Sequence, residues 1–346
     1  MPTTIRDVAK AAGVSVATVS RALNGATNVL PQTRQRIEDA ARALRFTPSG
    51  AARSLITRRT DTIGALLPDL HGEYFSELIR GIDQAARARG LHLLVSSSHG
   101  NADEAAAALR AMNGRVDGLL VMSPHADADF LRHNLPNDLP AVLLNTGMDL
   151  DEHASFVVDN FGGASAMTRH LVASGRKRVA FITGAPGNDE AAQRLAGYRA
   201  GLKPGMPELV FDGDFSEETG WAAGRRIANH RPRPDAVFAA NDMMAVGCMA
   251  ALHEAGLRVP DDIAVAGFDD IPIARYVTPA LTTIRVPIAA LGAAALDALV
   301  KSFDAPVATV AATAHTVVTP VELVVRRSCG AGPPPQPRPP GGKPPH

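Results

Sequence analysis

Apolar residues recur at helical spacing through the first 45 positions. Ile5, Val8, Ala9 and Ala12 follow the i, i+3, i+4, i+7 pattern of a short amphipathic helix. Thr4 is suited to cap it, with Asp7 three residues on, and Gly13 is suited to end it. Ser15 is the next N-cap, ahead of a helix whose inner face is Val16, Val19 and Leu23. Asn24-Gly25 breaks that helix, and a third runs from about Gln32 to Arg45 with Ile37, Ala40, Ala41 and Leu44 inward. Two short helices joined through a glycine turn make a helix-turn-helix. After Thr62 the pattern changes. Short apolar runs (TIGALLPD, LHLLVSSS, VDGLLVMSP, PAVLLNT, RVAFITG, LVFDGD, AVFAAN and IAVAGFDD) alternate with helical stretches. Such runs predict parallel strands covered on both faces, an α/β body. There are too many for one open sheet, so two doubly wound lobes are expected, with a ligand crevice at the carboxyl ends of their strands.

Charge sharpens this division. The 346-residue chain balances 35 basic against 35 acidic residues. Residues 1–60 hold ten Arg or Lys against three acids, an excess of seven positive charges, which the remainder cancels. A basic head on an acidic body suggests nucleic acid at one end only. The outer face of the second helix carries Ala17, Thr18, Ser20 and Arg21, small or polar groups that suit a major groove. Cys248 and Cys329 form no CxxC pair, which excludes a disulfide scaffold and a cysteine zinc site. The polar N-terminus and the lack of a long apolar run predict a cytoplasmic, nucleoid-associated protein without a membrane partner.

Enzyme signatures are missing. GAPGND lacks the GK[ST] of a P-loop, His253-Glu254 does not continue to HExxH, and no GxSxG occurs. The adjacent Asp269 and Asp270, on a strand end, should point in opposite directions. The eleven histidines show no ligand spacing, so neither metal nor cofactor is expected. Strand ends instead offer Asp69, Ser123, Asn145, Asp159, Asn241 and Asp269, while Tyr74 and Phe75 follow the first strand. Asn188, Glu190 and Arg194 lie on the helix after GAPGND. Aromatic faces with amides, a carboxylate and an arginine suit a polyhydroxylated ring. Strand-end Asn and Asp also cap helices, and the aromatics also suit a lobe core, so both readings stand. Asp117 reads as a structural turn residue.

The stretch TIRDVAKAAGVSVATVSRALNG resembles the DNA-binding headpiece of the lac repressor/gal repressor family of bacterial transcription regulators. FTPSGAARSL resembles that family's hinge helix, and the likeness continues to about Arg327. The resemblance implies that Ser15, Val16, Ala17, Thr18 and Arg21 meet the major groove and that Leu55 is a minor-groove wedge. Thr4, Asn24 and Arg53 complete the implied DNA contacts. A hinge of two helical turns is marginal alone and should order only with DNA and a second hinge. Ile56 departs from the basic residue common there, which puts hinge contacts in doubt. The body is implied to resemble a periplasmic binding protein, with crossings near Phe161, Leu281–Val286 and Val318–Val324. Tyr74, Phe75, Ser123, Asn145, Asn188, Arg194, Phe215, Asn241 and Asp269 are implied to bind the effector. Purine-sensing members carry arginine and threonine where this chain has Asn188 and Glu190, so a neutral sugar or glycoside is favoured over a purine. A partner protein is the other alternative controller.

The expected organisation is a headpiece over 1–47, a hinge and linker over 48–60, and a two-lobed effector and dimerisation domain over 61–328. Residues 329–346, with eight prolines from Pro333 to Pro345, are expected to be a disordered tail. The tail carries no leucine heptad, so a homodimer on a pseudo-palindromic double-stranded operator is the expected assembly.

Overall fold

The computed structural model describes residues 3–23, 26, 28–47, 59–123, 128–135, 139–145, 153–303 and 316–330. It divides into two compact units, residues 1–62 with 114–117, and residues 63–113 with 118–346.

In the first unit, α1 (Ile5–Ala12), α2 (Val16–Leu23) and α3 (Pro31–Ala43) enclose Val8, Ala9, Ala12, Val19, Ala22, Ile37 and Ala41. Asp7 Oδ2 accepts from Thr4 N at 2.9 Å and Thr4 Oγ1 at 2.8 Å, and Gly13 closes α1 in the left-handed region at φ 63°. Ser15 Oγ accepts from Thr18 N at 3.1 Å, which caps α2. Val16 does not join the inner face, since it is 40% exposed and Ala22 is buried instead. A core made by helices this short covers only about one turn of α2, and that turn is Val19–Ala22. The third helix starts earlier than its polar residues suggested, because Pro31 lacks the N–H that a first turn leaves unpaired. Arg34 donates to Ala22 O and, at 2.6 Å, to Ala26 O, tying α3 to the end of α2. Asp117 is the structural residue expected: its carboxylate accepts from Thr60 N at 2.6 Å, Thr60 Oγ1 at 2.8 Å and Asp61 N at 2.9 Å.

The second unit holds two α/β lobes. One is a six-stranded sheet of order β11-β5-β4-β3-β1-β2, built from β1 (Thr62–Leu67), β2 (His92–Ser97), β3 (Gly118–Val121), β4 (Ala141–Leu144), β5 (Ala154–Val158) and β11 (Thr316–Thr319). The other is a four-stranded parallel sheet of order β7-β6-β8-β9, from β6 (Val179–Ile182), β7 (Leu209–Phe211), β8 (Ala236–Ala239) and β9 (Ala264–Ala266). Antiparallel β10 (Thr283–Arg285) and β12 (Glu322–Val324) run beside them. The continuous apolar runs are explained by burial, since every residue of β3, β4, β6 and β8 is buried. The short strand β5 was not among the expected runs. Its sequence ASFVV mixes small and apolar residues without alternation, although it pairs on both sides, with β4 and β11.

The helices of the first lobe are α4 (Glu73–Arg87), α5 (Ala102–Met112), α6 (Ala128–Asn134) and α11 (Ile288–Ser302), which returns to pack on α4. The second lobe carries α7 (Asn160–Ala173), α8 (Asp189–Gly201), α9 (Glu217–Asn229) and α10 (Asp242–Glu254). The body also runs past its expected boundary at 328. Cys329 is 1% exposed, and Ser328 Oγ accepts from Thr282 N at 2.8 Å and donates to Val265 O at 2.6 Å, so both residues belong to the packed body. The Pro-rich tail from 331 and the hinge helix lie outside the described residues.

Candidate functional site

On the headpiece, Thr4, Ser15, Val16, Ala17 and Arg21 are exposed and Thr18 is half-buried. Ser15 Oγ and Thr18 Oγ1 lie 2.9 Å apart at the start of α2. The helix thus offers small side chains and one cation outward, while its buried Val19 and Ala22 fix it to α1 and α3. Asn24, Arg53 and Leu55 lie outside the described residues.

In the body, the loops at the carboxyl ends of β1, β6, β8 and β9 enclose a cavity of about 340 Å³. Tyr74, Phe75, Asn188, Arg194, Phe215, Asn241 and Asp269 share its wall. Ser123 and Asn145 do not line it. Ser123 is buried, and Asn145 stands behind Tyr74, donating from Nδ2 to the Tyr74 hydroxyl at 3.0 Å. Asp69, exposed, also lines the cavity, but one carboxylate oxygen accepts from Leu70 N and His71 N. Asp159 caps α7 through Gly162 N.

Arg194 organises the wall. Its Nε donates to Asn160 Oδ1 at 2.8 Å and its Nη1 to Ala240 O at 2.6 Å, while the guanidinium carbon lies 3.9 Å from the centre of the Phe268 ring. Nη2 lies 3.3 Å from Asp269 Oδ1 and 3.7 Å from Glu190 Oε1. The Asp269 contact is an ion pair without hydrogen-bond geometry, and Asp269 Oδ1 has no hydrogen-bond partner among the described residues. Two carboxylates thus face one guanidinium. Burial pushes the Asp269 carboxyl up to about 7, with Arg194 opposing and Glu190 adding to the rise. Burial likewise raises Glu190, against the pull of Arg194. Burial, and then the charges of Glu190 and Asp269, keep the Tyr74 hydroxyl protonated. Asp270 turns the other way, onto Arg285 and Arg326; both residues lie beyond β9 at positive φ, 113° and 57°, so the turn of the backbone and not strand alternation separates them.

The two amides in the wall do double duty. Asn188 Oδ1 accepts from Ala191 N at 2.9 Å, capping α8. Asn241 Oδ1 accepts from Met244 N at 3.0 Å, and its Nδ2 donates to Phe215 O at 2.9 Å, so it caps α10 and holds Phe215 at φ 77°. Sequence reasoning missed Asn160, Phe268 and Glu73, whose Oε2 accepts from Ile273 N at 2.8 Å. Phe268 carries no signal of this role, since an apolar residue after a strand reads as core. Among the described residues no group of three His, Cys, Asp or Glu is placed to hold a metal, and no helix is long and apolar enough to cross a membrane.

A helix-turn-helix head and a two-lobed body with a cleft at its strand ends define helix-turn-helix proteins with a periplasmic-binding-protein-like domain. Comparison with known proteins gives the same pair of modules: residues 4–49 match the bacterial regulatory proteins of the lacI family, and residues 168–329 a periplasmic binding protein-like domain. The chain is 35% identical over 342 residues to the HTH-type transcriptional repressor PurR of Edwardsiella ictaluri (strain 93-146), covering 95% of this chain and 98% of the relative. It is 36% identical over 337 residues to the PurR of Erwinia tasmaniensis (strain DSM 17950 / CFBP 7177 / CIP 109463 / NCPPB 4357 / Et1/99), with the same coverage. Among solved structures, the lac repressor dimer bound to operator and the anti-inducer ONPF superposes with a TM-score of 0.83 at 30% identity, covering 95% of this chain and 99% of that one. The complex of the regulator CelR with cellobiose gives 0.69 at 30%, covering 94% and 99%. The chain belongs to the lac repressor/gal repressor family. It is a DNA-binding transcriptional repressor, and not an enzyme.

Proposed function

We propose that this repressor acts in the cytoplasm as a homodimer on a pseudo-palindromic operator, and that a neutral sugar or glycoside in the cleft sets its DNA affinity. The observation that carries the effector class is the Arg194–Asp269 pair. Asp269 is held in the wall by a cation, yet its Oδ1 has no hydrogen-bond partner among the described residues. A sugar hydroxyl donates to that oxygen and so removes the cost of a buried acceptor left unpaired. Tyr74, Phe75 and Phe215 supply apolar surface for the faces of a ring. With Glu190 beside the arginine, the wall already holds more acid than base, which repels a phosphorylated ligand. In this reading Ser123 and Asn145 support the wall from behind, while Ser15, Val16, Ala17, Thr18 and Arg21 read the major groove and Leu55 wedges the centre of the operator.

A second reading has its own support. Several relatives at 35–36% identity carry the name PurR, which favours a purine co-repressor. Against it, Asn188 and Glu190 stand where purine-sensing members carry arginine and threonine. A thermal-shift screen of the full chain against neutral sugars, sugar phosphates and nucleobases separates the two. A ligand at 100 times its Kd adds about 2.7 kcal/mol of stability, enough to read as a shift in melting. A sugar hit supports the first reading, and a hit with a nucleobase alone replaces it with the second.

A further inference from the structure

We propose that Asp242, which does not line the cleft, is the positioning residue that sets Asp269 for the effector and ties it to β10. Its side chain is fully buried at the first position of α10. Asn241 already caps that helix, and the Asp242 carboxyl group acts elsewhere. Its Oδ2 accepts from Ile271 N at 3.0 Å, and its Oδ1 accepts from Thr283 Oγ1 at 2.6 Å. These partners lie 29 and 41 residues along the chain. Ile271 ends the loop that carries Phe268 and Asp269, and Thr283 stands on β10. The loop also lies against the carboxyl group, since a Cβ on Gly267 would come within 2.2 Å of Asp242 Oδ1. Burying such a group is costly unless its oxygens are bonded, and here both bonds go to the two segments that hold the cleft wall.

The loop needs such a fastener. Asp269 and Asp270 both stand at positive φ, which residues with a Cβ hold only where surrounding bonds over-determine it. On one side β10 and the residues flanking it supply those bonds. Gly267 N donates to Thr282 O at 2.9 Å, Asp269 N to Ile284 O at 2.7 Å, and Val286 N to Asp269 O at 3.1 Å. On the other side Asp242 holds Ile271, and it reaches β10 itself through Thr283. Loop, helix start and strand thus form a closed circuit of hydrogen bonds. That circuit places two parts of the wall together: Phe268, under the Arg194 guanidinium, and Asp269, beside it. β10 lies on the path from β9 in the second lobe to α11 in the first. A ligand that pulls on Asp269 therefore pulls on the passage between the lobes, through two backbone bonds and one buried carboxyl group. The inference rests on Asp269 being an effector contact, as proposed above.

The test needs no effector. Site-resolved amide hydrogen exchange is measured on the full-length protein and on its Asp242→Ala and Thr283→Val variants. The amides of Asp269 and Val286, whose bonds do not involve Asp242 directly, should exchange roughly tenfold faster in both variants. The amides of β6 and β8, at the core of the same lobe, should keep their protection. Thr283→Ser, which retains the hydroxyl, should leave Asp269 and Val286 in slow exchange. Circular dichroism melts establish that each variant is folded, and Thr283→Val carries the test if Asp242→Ala does not fold. Unchanged exchange at Asp269 and Val286, or Thr283→Ser exchanging as fast as Thr283→Val, overturns the proposal. So does an equal rise through β6 and β8, which makes Asp242 a packing residue of the whole lobe. A pH-independent effector Kd removes Asp269 from the contact without altering this exchange pattern, so the two readings fail separately.

Discussion

Asp269 concentrates the chemistry of the cleft in one carboxyl group. Its pKa is pushed up to about 7 by burial, far above its value in an unfolded chain. The native state therefore binds the proton more tightly than the unfolded state, so this group's contribution to stability is greatest in acid. That contribution declines as pH rises from about 4 and is gone above about 7. Asp269→Asn should flatten this part of the pH–stability curve, as read by urea unfolding from pH 5 to pH 8; an unchanged slope would assign it to Glu190. Ligand binding runs the opposite way. A hydroxyl bonds the ionised carboxylate more strongly than the protonated acid, which keeps one acceptor oxygen, so effector affinity should fall as pH drops below about 7, by at most about tenfold per pH unit. Calorimetry in two buffers should detect the released proton, and a pH-independent Kd would remove Asp269 from the contact. Asn188 poses a different question, because its Oδ1 is already committed to capping α8. Asn188→Ala should cost about 1 kcal/mol of stability with no ligand present. No loss in the ligand-free protein would show that the cap is dispensable.

At the scale of elements, α2 is a short helix held by one turn of core, with Arg21 exposed near its end. If Arg21 reads bases, Arg21→Ala should weaken operator binding by about 1–3 kcal/mol and spare binding to unrelated duplex. Equal losses on both DNAs would make it a phosphate contact. In the body, helices touch through glycine. A Cβ on Gly247 of α10 would lie 2.0 Å from Glu217 O on α9, and one on Gly197 of α8 would lie 2.4 Å from Phe161 O on α7. Gly247→Ala should therefore force these helices apart at a cost of about 1–3 kcal/mol, seen as a lower melting temperature. These crossings were not legible in the sequence. Periodicity shows which face of a helix is apolar, but not how near its neighbour lies. The headpiece helices were legible because Thr4, Asp7, Gly13 and Ser15 act through local bonds. Strand ends were legible for a similar reason, since a buried run must stop where polar residues begin. That placed Asp269 at the cavity, whereas Arg194 came from the helix after GAPGND and from the family resemblance. Strand position could not tell which strand-end amides faced the cavity and which capped the next helix, and Asn188 and Asn241 do both. Val16 was misplaced because periodicity assigns a face without knowing where the partner surface ends.

For the whole molecule, control of DNA by a cleft ligand is a statement about free energy shared between two sites. Moving the operator-bound population from 99:1 to 1:99 takes about 5.5 kcal/mol of differential affinity, and a dimer with two clefts supplies about half of that at each. Coupling of this kind is reciprocal, so whatever factor the effector imposes on operator affinity, the operator imposes on the effector. If the lobes transmit the signal, effector affinity measured by calorimetry should change when saturating operator is present. Fluorescence anisotropy of labelled operator, with and without effector, should give a free-energy change of the same size. An effector that binds the cleft with identical affinity in both conditions would be a ligand without a regulatory role, whatever its fit to Arg194 and Asp269. Leu55→Ala separates the two halves of this linkage. As an expected wedge it should weaken operator binding while the free protein binds effector as before, because inserting an apolar side chain is a transaction with DNA alone. The coupling free energy should then shrink along with the DNA bend that the wedge creates. If it stays constant while operator affinity falls, the signal reaches the operator through the placement of the two headpieces and not through the kink.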